Sequence, residues 1–174
     1  MFDAQHADSS AGPMTVANLG HLAREAGLNI DVERTHISPV LFWFTSGQGR
    51  LRIDGELRGY TAHNALFLPA NTPYALEITN RTQGSAVFFA NQTSLPFPKE
   101  LMHLRLHGVQ LQSQLNALIE DLHEEARGDA ADRDQAMHHR AALTLIWLAR
   151  NSGKRPPQGQ NVTDVLRALA RPGY

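Results

Sequence analysis

The sequence predicts a mainly β chain, a sandwich or barrel, with α-helices following it. Three observations carry that reading. Between Val40 and Ile78, short apolar runs are separated by glycine and proline turns at regular intervals. Within them, Leu51 and Ile53 alternate with Arg50, Arg52 and Asp54, the two-residue period of a strand with one face inward and one in water. Beyond Val109 the period changes, and Leu111, Leu115, Leu118, Ile119 and Leu122 recur at helical spacing.

Taken in order, residues 1–14 are small and polar and read as a loose N-terminus. From Thr15 to Ala26, the apolar residues Val16, Leu19, Leu22, Ala23 and Ala26 suit a short helix ending at Gly27, with a strand over Leu28–Glu33 competing for its end. The run Leu41-Phe42-Trp43-Phe44-Thr45-Ser46 is apolar on both faces, as a strand covered on both sides should be. It breaks at Gly47-Gln48-Gly49, and the strand that follows ends at Asp54-Gly55, the pair that suits a type I′ turn with positive φ at both central positions. Further strands fall at Leu57–Thr61, Ala65–Leu68, after the turn Pro69–Pro73, at Ala86–Ala90, and at 102–106, where Met102, Leu104 and Leu106 alternate with histidine and arginine. Residues 15–107 thus form the barrel. A helix from about Val109 to Ala126, closed by Gly128, and a second from Arg133 to Arg150 form a helical segment over 108–152. Residues 153–174 read as a linker and a short helix, with Asn161 as N-cap and Val162, Val165, Leu166 and Leu169 on one stripe.

A chain of 174 residues has the length of one domain, perhaps with an appendage. Its 16 Lys and Arg against 17 Asp and Glu give a net charge of −1, which offers no electrostatic ground for binding nucleic acid or an anionic membrane. The absence of cysteine excludes disulfides, thiol nucleophiles and cysteine-ligated metals, and suits a reducing, cytoplasmic setting. The acidic start is unlike a signal peptide, and no apolar run reaches the ~18 residues of a membrane span. Nucleophile elbows, phosphate loops and paired-carboxylate motifs are missing from the sequence.

The order of strand, Gly-x-Gly, Asp-Gly hairpin, strand and Leu68-Pro69-Ala70-Asn71-Thr72-Pro73-Tyr74 resembles a cupin, a double-stranded β-helix or jelly-roll barrel. With the two helices after it, the stretch from about Glu33 to Arg150 is similar to the N-terminal sensor and dimerisation domain of AraC-type transcription regulators. Counted from Gly47, the spacing of metal-dependent cupins puts Arg34 and His36 at the two histidines of the first motif, Val40 at the glutamate and Tyr74 at the third histidine. One imidazole in four positions cannot hold a metal, since even an open zinc site has three protein ligands. Neither metal nor cofactor is therefore expected.

The interior then reads as an apolar pocket for a small effector, lined by Arg34, His36, Phe42, Phe44, Leu51, Ile53, Tyr74 and Leu76. The competing reading is that these side chains simply fill the barrel. The resemblance implies a homodimer, which we assign to the stripe Leu111, Leu115, Leu118, Ile119 and Leu122, helped by the helix carrying Met137 to Leu148. It also implies DNA binding through a C-terminal helix-turn-helix part that these residues do not contain, so this chain alone is expected not to contact DNA. A regulator domain is not an enzyme. The alternative is a free-standing, metal-independent cupin enzyme, an isomerase or hydrolase, using His36 and Tyr74 as acid and base. The remaining histidines read as solvent-exposed or locally bonded. His103 and His107 on a strand lie ~13 Å apart, and His138 and His139 on a helix point in different directions.

Overall fold

A computed structural model describes residues 14–90 and 94–153. The expected loose terminus up to Pro13, the linker after Gly153 and the short helix near Val162 to Leu169 lie outside the described residues. Eight strands and three helices follow in the order β1 (Thr15–Asn18), α1 (Leu19–Ala26), β2 (Val40–Ser46), β3 (Gln48–Ile53), β4 (Glu56–Thr61), β5 (Asn64–Leu68), β6 (Tyr74–Leu76), β7 (Gln83–Phe88), β8 (Met102–Arg105), α2 (Val109–Arg127) and α3 (Arg133–Arg150). All pairings are antiparallel, in a five-stranded sheet ordered β1-β7-β2-β5-β8 and a three-stranded sheet ordered β4-β3-β6. This is the mainly β architecture with C-terminal helices that the sequence predicts.

The two-sided apolarity of β2 explains how the layers stack. Val40, Phe42 and Phe44 point between the sheets, where they meet Leu51, Ile53 and Tyr60 of the smaller sheet and Leu66, Leu68 and Ala86 of their own. Leu41 and Trp43 point the other way, into a second core shared with Phe67, Val87 and Phe89 and with both C-terminal helices. Helices, large sheet and small sheet therefore form three layers with a buried seam on each side of β2. Fully burying one such leucine or phenylalanine is worth about 1.5 to 3 kcal/mol, so the helical segment is held to the barrel by a core of its own.

A turn and a register shift illustrate backbone conformations that few residues adopt. Asp54 and Gly55, at φ 51° and 82°, make the left-handed pair of a type I′ turn between β3 and β4, as the sequence predicts. Gly84, at φ 152°, lies where β2 and β7 change register between Phe44 and Ser46, and a Cβ built on it would stand 2.0 Å from the Trp43 carbonyl oxygen. No side chain fits there without moving backbone.

Two expectations need correction. Thr15–Asn18 is not helical but an edge strand paired with Ser85–Phe88, and the helix starts only after it, with the Asn18 side chain accepting from the His21 N–H at 3.2 Å. Leu28–Glu33 is not a strand, because the chain turns there with the Val32 N–H bonded to the Asn29 carbonyl and only Arg34 reaches a bridge, with Tyr74. Gly128 closes α2, as the sequence predicts, in an extended conformation at φ −78°.

Candidate ligand-binding site

The structure brings the predicted pocket residues together and then closes the space between them. Phe42, Phe44, Leu51 and Leu76 are 0 or 1% exposed, and Ile53 and Tyr74 are each 3% exposed. Their rings touch one another. Phe44 stacks on Tyr60 at a 4.0 Å centroid separation, and Phe42 lies 5.5 Å from Tyr74 and 6.3 Å from Phe44. Such spacings are those of aromatic pairs in contact. In this structure the inward stripe of the strands is core, as in small closed barrels, and Phe42, Phe44, Leu51, Ile53 and Leu76 are not walls of an open pocket.

At one end of this core, the positions that the cupin spacing aligned do converge. Arg34 and Tyr74 exchange backbone hydrogen bonds of 2.7 and 2.8 Å, and the His36 Nε2 meets the Tyr74 hydroxyl at 2.7 Å. The Arg34 guanidinium donates to the Ala26 carbonyl at the end of α1. Val40 points into the same apolar interior. His36 is 5% exposed, with the Phe88 ring edge-on at 5.3 Å, so the pair is enclosed by the protein. Among the described residues, no three His, Cys, Asp or Glu side chains gather as metal ligands would.

An open cleft lies on the other side of the large sheet. It has a volume of about 1330 Å³ and runs between α1, the β2 and β7 strands and α2. Its floor is polar and hydrogen-bonded. The Trp43 indole Nε1–H donates to Asn116 Oδ1 at 2.7 Å, and Ser85 Oγ lies 2.8 Å from His123 Nε2. Arg24 on α1 and Arg127 on α2 border it, with His21 on one side and Glu120 on the other. Burial pushes the His123 imidazole below its ordinary 6.5, with Glu120 opposing and Arg127 reinforcing the shift. The ring is therefore mostly neutral near pH 7, so one nitrogen can accept while the other donates.

Sequence reasoning missed this site because its parts come from separate elements. One signal was present. Asn116, Glu120, His123 and Arg127 recur at spacings of four, three and four, a polar stripe beside the apolar one of the same helix.

The apolar stripe assigned to dimerisation is for the most part covered within the chain. Leu115, Ile119 and Leu122 are 0 to 1% exposed against the outer face of the large sheet, and Leu111 packs at the edge of the same core. Leu111 and Leu118 are both half-buried, and Leu118 is not part of that core. Amphipathic helices dock first on their own core, and this one does. On α3, Leu143 is 58% and Ile146 38% exposed, with the half-buried Trp147 donating its indole N–H to Gln114 Oε1 at 2.9 Å, while Val109 at the start of α2 is 76% and Leu57 on the small sheet 56% exposed.

The other histidines serve local structure. His103 Nε2 lies 2.9 Å from Asn64 Oδ1, and burial lowers its pKa, with Arg105 and Arg58 acting in the same direction. His63, which the sequence left unplaced, turns the chain between β4 and β5 at φ 65°, its N–H donating to the Phe44 carbonyl at 2.7 Å. His138 and His139 approach more closely than adjacent helical positions suggest, edge to face at 5.7 Å.

No protein-family model matches the chain, and no curated protein matches it. Among solved structures, it is similar to a cupin protein from Bacteroides fragilis, at 18% identity and a TM-score of 0.35 over 49% of this chain and 70% of that one. It is also similar to apo ToxT from Vibrio cholerae, at 10% identity and a TM-score of 0.45, covering 89% of this chain and 64% of ToxT. A further match is ToxT with a bound unsaturated fatty acid, at 11% identity and a TM-score of 0.43, covering 90% of this chain and 61% of that one. The chain thus spans less than two thirds of the length of ToxT. Among the described residues, no helix is long and apolar enough to cross a membrane.

Proposed function

We propose that this chain is the ligand-sensing and dimerisation part of an AraC-type transcription regulator, cytoplasmic, without catalytic activity, acting on DNA through a helix-turn-helix part outside these residues. The observation that carries the proposal is the cleft between barrel and helices. Its floor joins Trp43 and Ser85 on the sheet to Asn116 and His123 on α2 by direct hydrogen bonds, so a small molecule seated there contacts the barrel and the helical segment at once. A ligand shifts a conformational balance only by contacts that differ between two states, and this is a place where such contacts can differ. The effector site is thereby moved from the barrel interior to its outer face.

The second part of the proposal is a two-fold dimer through the outward face of α3, with Leu143 and Ile146 at its centre and Leu118 and Trp147 beside them. Symmetric pairing covers an exposed apolar patch twice with one set of residues. The test of the regulator reading is the natural reading frame: continuation past Tyr174 into basic helix-turn-helix sequence is the expected result, and a stop codon directly after Tyr174 removes the reading.

The alternative of a metal-independent enzyme has the 2.7 Å contact between His36 and Tyr74 in its favour. Both side chains are enclosed, however, and the carbonyl-bound Arg34 lies beside them, so a substrate reaches the pair only after the segment over Arg34–Ser38 moves.

A further inference from the structure

The cleft has a chemical preference that follows from its charges, and the inference concerns the ligand class for the site assigned above. Arg24 and Arg127 come from two different helices and border the same space, and among the described residues neither has a carboxylate within ion-pair distance. That sets them apart from Arg50, Arg58, Arg133 and Arg140, each of which meets an acidic side chain. Of the carboxylates, Glu120 alone lines the cleft, and Glu25, just outside it, is engaged by His21 at 3.2 Å. Two guanidiniums thus face one carboxylate across the cleft. The rest of the lining offers hydrogen bonds more than apolar surface, through Asn18, Thr45, Asn80, Ser85 and His123.

We propose that the cleft binds a small organic anion, a carboxylate or phosphate ester, with its charged end between Arg24 and Arg127 and its hydroxyl-bearing body against Ser85, His123 and Asn116. Guanidinium groups present planar, paired donors that fit carboxylate and phosphate oxygens alike, so they define an anion without choosing between the two. A neutral imidazole and a serine hydroxyl can each give or accept a hydrogen bond, which suits a hydroxylated body better than a hydrocarbon tail. Glu120 opposes negative charge from its side of the cleft, so removing its charge should strengthen the binding of an anion. Replacing the Ser85 to His123 bond by bonds to a ligand hydroxyl would loosen one tie of α2 to the sheet while keeping its polar groups satisfied.

The experiment is a titration of the 174-residue chain with citrate, glucose 6-phosphate, inorganic phosphate and glucose, followed by calorimetry and by the imidazole proton signals of His21 and His123. The expected result is saturable binding of citrate or glucose 6-phosphate that shifts the His123 signal, with inorganic phosphate weaker and glucose silent. Arg24→Ala and Arg127→Ala should each weaken that binding about tenfold or more, and Glu120→Gln should strengthen it. Both arginines are exposed, so the variants keep the fold, as circular dichroism can verify. Three results overturn the proposal: no shift with any anion up to about 10 mM, equal affinity in the doubly substituted protein, or inorganic phosphate binding as tightly as the organic anions, which means an adventitious ion only. The ligand class and the regulator reading fail separately. Binding through both arginines, in a protein whose natural frame stops without a helix-turn-helix part, keeps the anion site and removes the regulator. A helix-turn-helix part in the frame, without anion binding, does the reverse.

Discussion

Leu115 and Leu143 sit on neighbouring helices and have the same side chain, so substituting each in turn separates core from interface. Leu115 is 0% exposed in the layer between α2, α3 and the outer face of the large sheet, beside Trp43, Val87 and Leu145. Trimming it to alanine removes that side chain from water-free contact and leaves a cavity that the rigid sheet cannot collapse to fill. Such changes cost about 2 to 5 kcal/mol. Taking about 3 kcal/mol, and a urea slope of about 2 kcal/mol per molar, the unfolding midpoint should fall by roughly 1.5 M. Leu115→Glu adds the burial of a charge, and in a domain of ordinary stability, about 5 to 15 kcal/mol in total, it should leave little folded protein. Leu143 is 58% exposed, so Leu143→Glu should move the midpoint by no more than about 0.5 kcal/mol equivalent within a folded subunit. Its effect belongs to assembly. Sedimentation at micromolar concentration should show a dimer for the native chain and a monomer for Leu143→Glu, with urea curves compared at one protein concentration because dimerisation itself adds stability. A stable, folded Leu115→Glu monomer would refute the packing argument, and a Leu143→Glu protein that stays dimeric would refute the assigned interface.

Gly84→Ala should lose about 2 to 4 kcal/mol by urea unfolding, since its Cβ would meet the Trp43 carbonyl and its φ of 152° strains any other residue; an unchanged midpoint would show that β7 can shift cheaply. His103 and His123 both titrate below 6.5 in the folded state because burial disfavours their charged forms. The unfolded chain therefore binds more protons just below that value, so their stabilisation is complete above pH 6.5 and is lost as pH falls through the lowered folded values. Urea midpoints measured across this window should decline toward acid, and the decline should flatten in the His103→Gln, His123→Gln double variant; equal slopes would assign the acid sensitivity elsewhere. Asn116→Leu should leave the Trp43 indole N–H without a partner, costing about 1 to 3 kcal/mol if no water replaces it, and the tryptophan emission should shift as that bond is lost.

What could be read from the sequence follows the range of the interaction that decides each element. The turn at Asp54-Gly55 and both ends of α3 depend on neighbours a few residues away, and they stand where the residues indicate. The apolar run in β2 reads as doubly covered because both of its faces are written into one strand, and the two cores on either side of it bear this out. Thr15–Asn18 was misread for the opposite reason. Val16 and Leu19 are three apart, which suits a helix, and what makes Thr15–Asn18 a strand is an edge of β7 far along the chain.

The same limit governs the candidate site. Periodicity shows which face of α2 is apolar but not what covers it, and here the cover is Trp43, Val87 and the rest of the outer sheet face, not a second copy. Likewise an inward stripe of Phe42, Phe44, Leu51 and Leu76 looks the same in sequence whether the opposite walls touch or stand apart. The decision lies in the separation between the sheets, and a 4.0 Å stack of Phe44 on Tyr60 leaves no room for a ligand there. Polar residues are more informative when they recur on a helix that is otherwise buried. Asn116 and His123 lie on the flank of a helix that presses its leucines into a core, so each must find a partner on the sheet or stand in water. Both found one, in Trp43 and Ser85, and the cleft above those two bonds is where the chain's surface and interior chemistry meet.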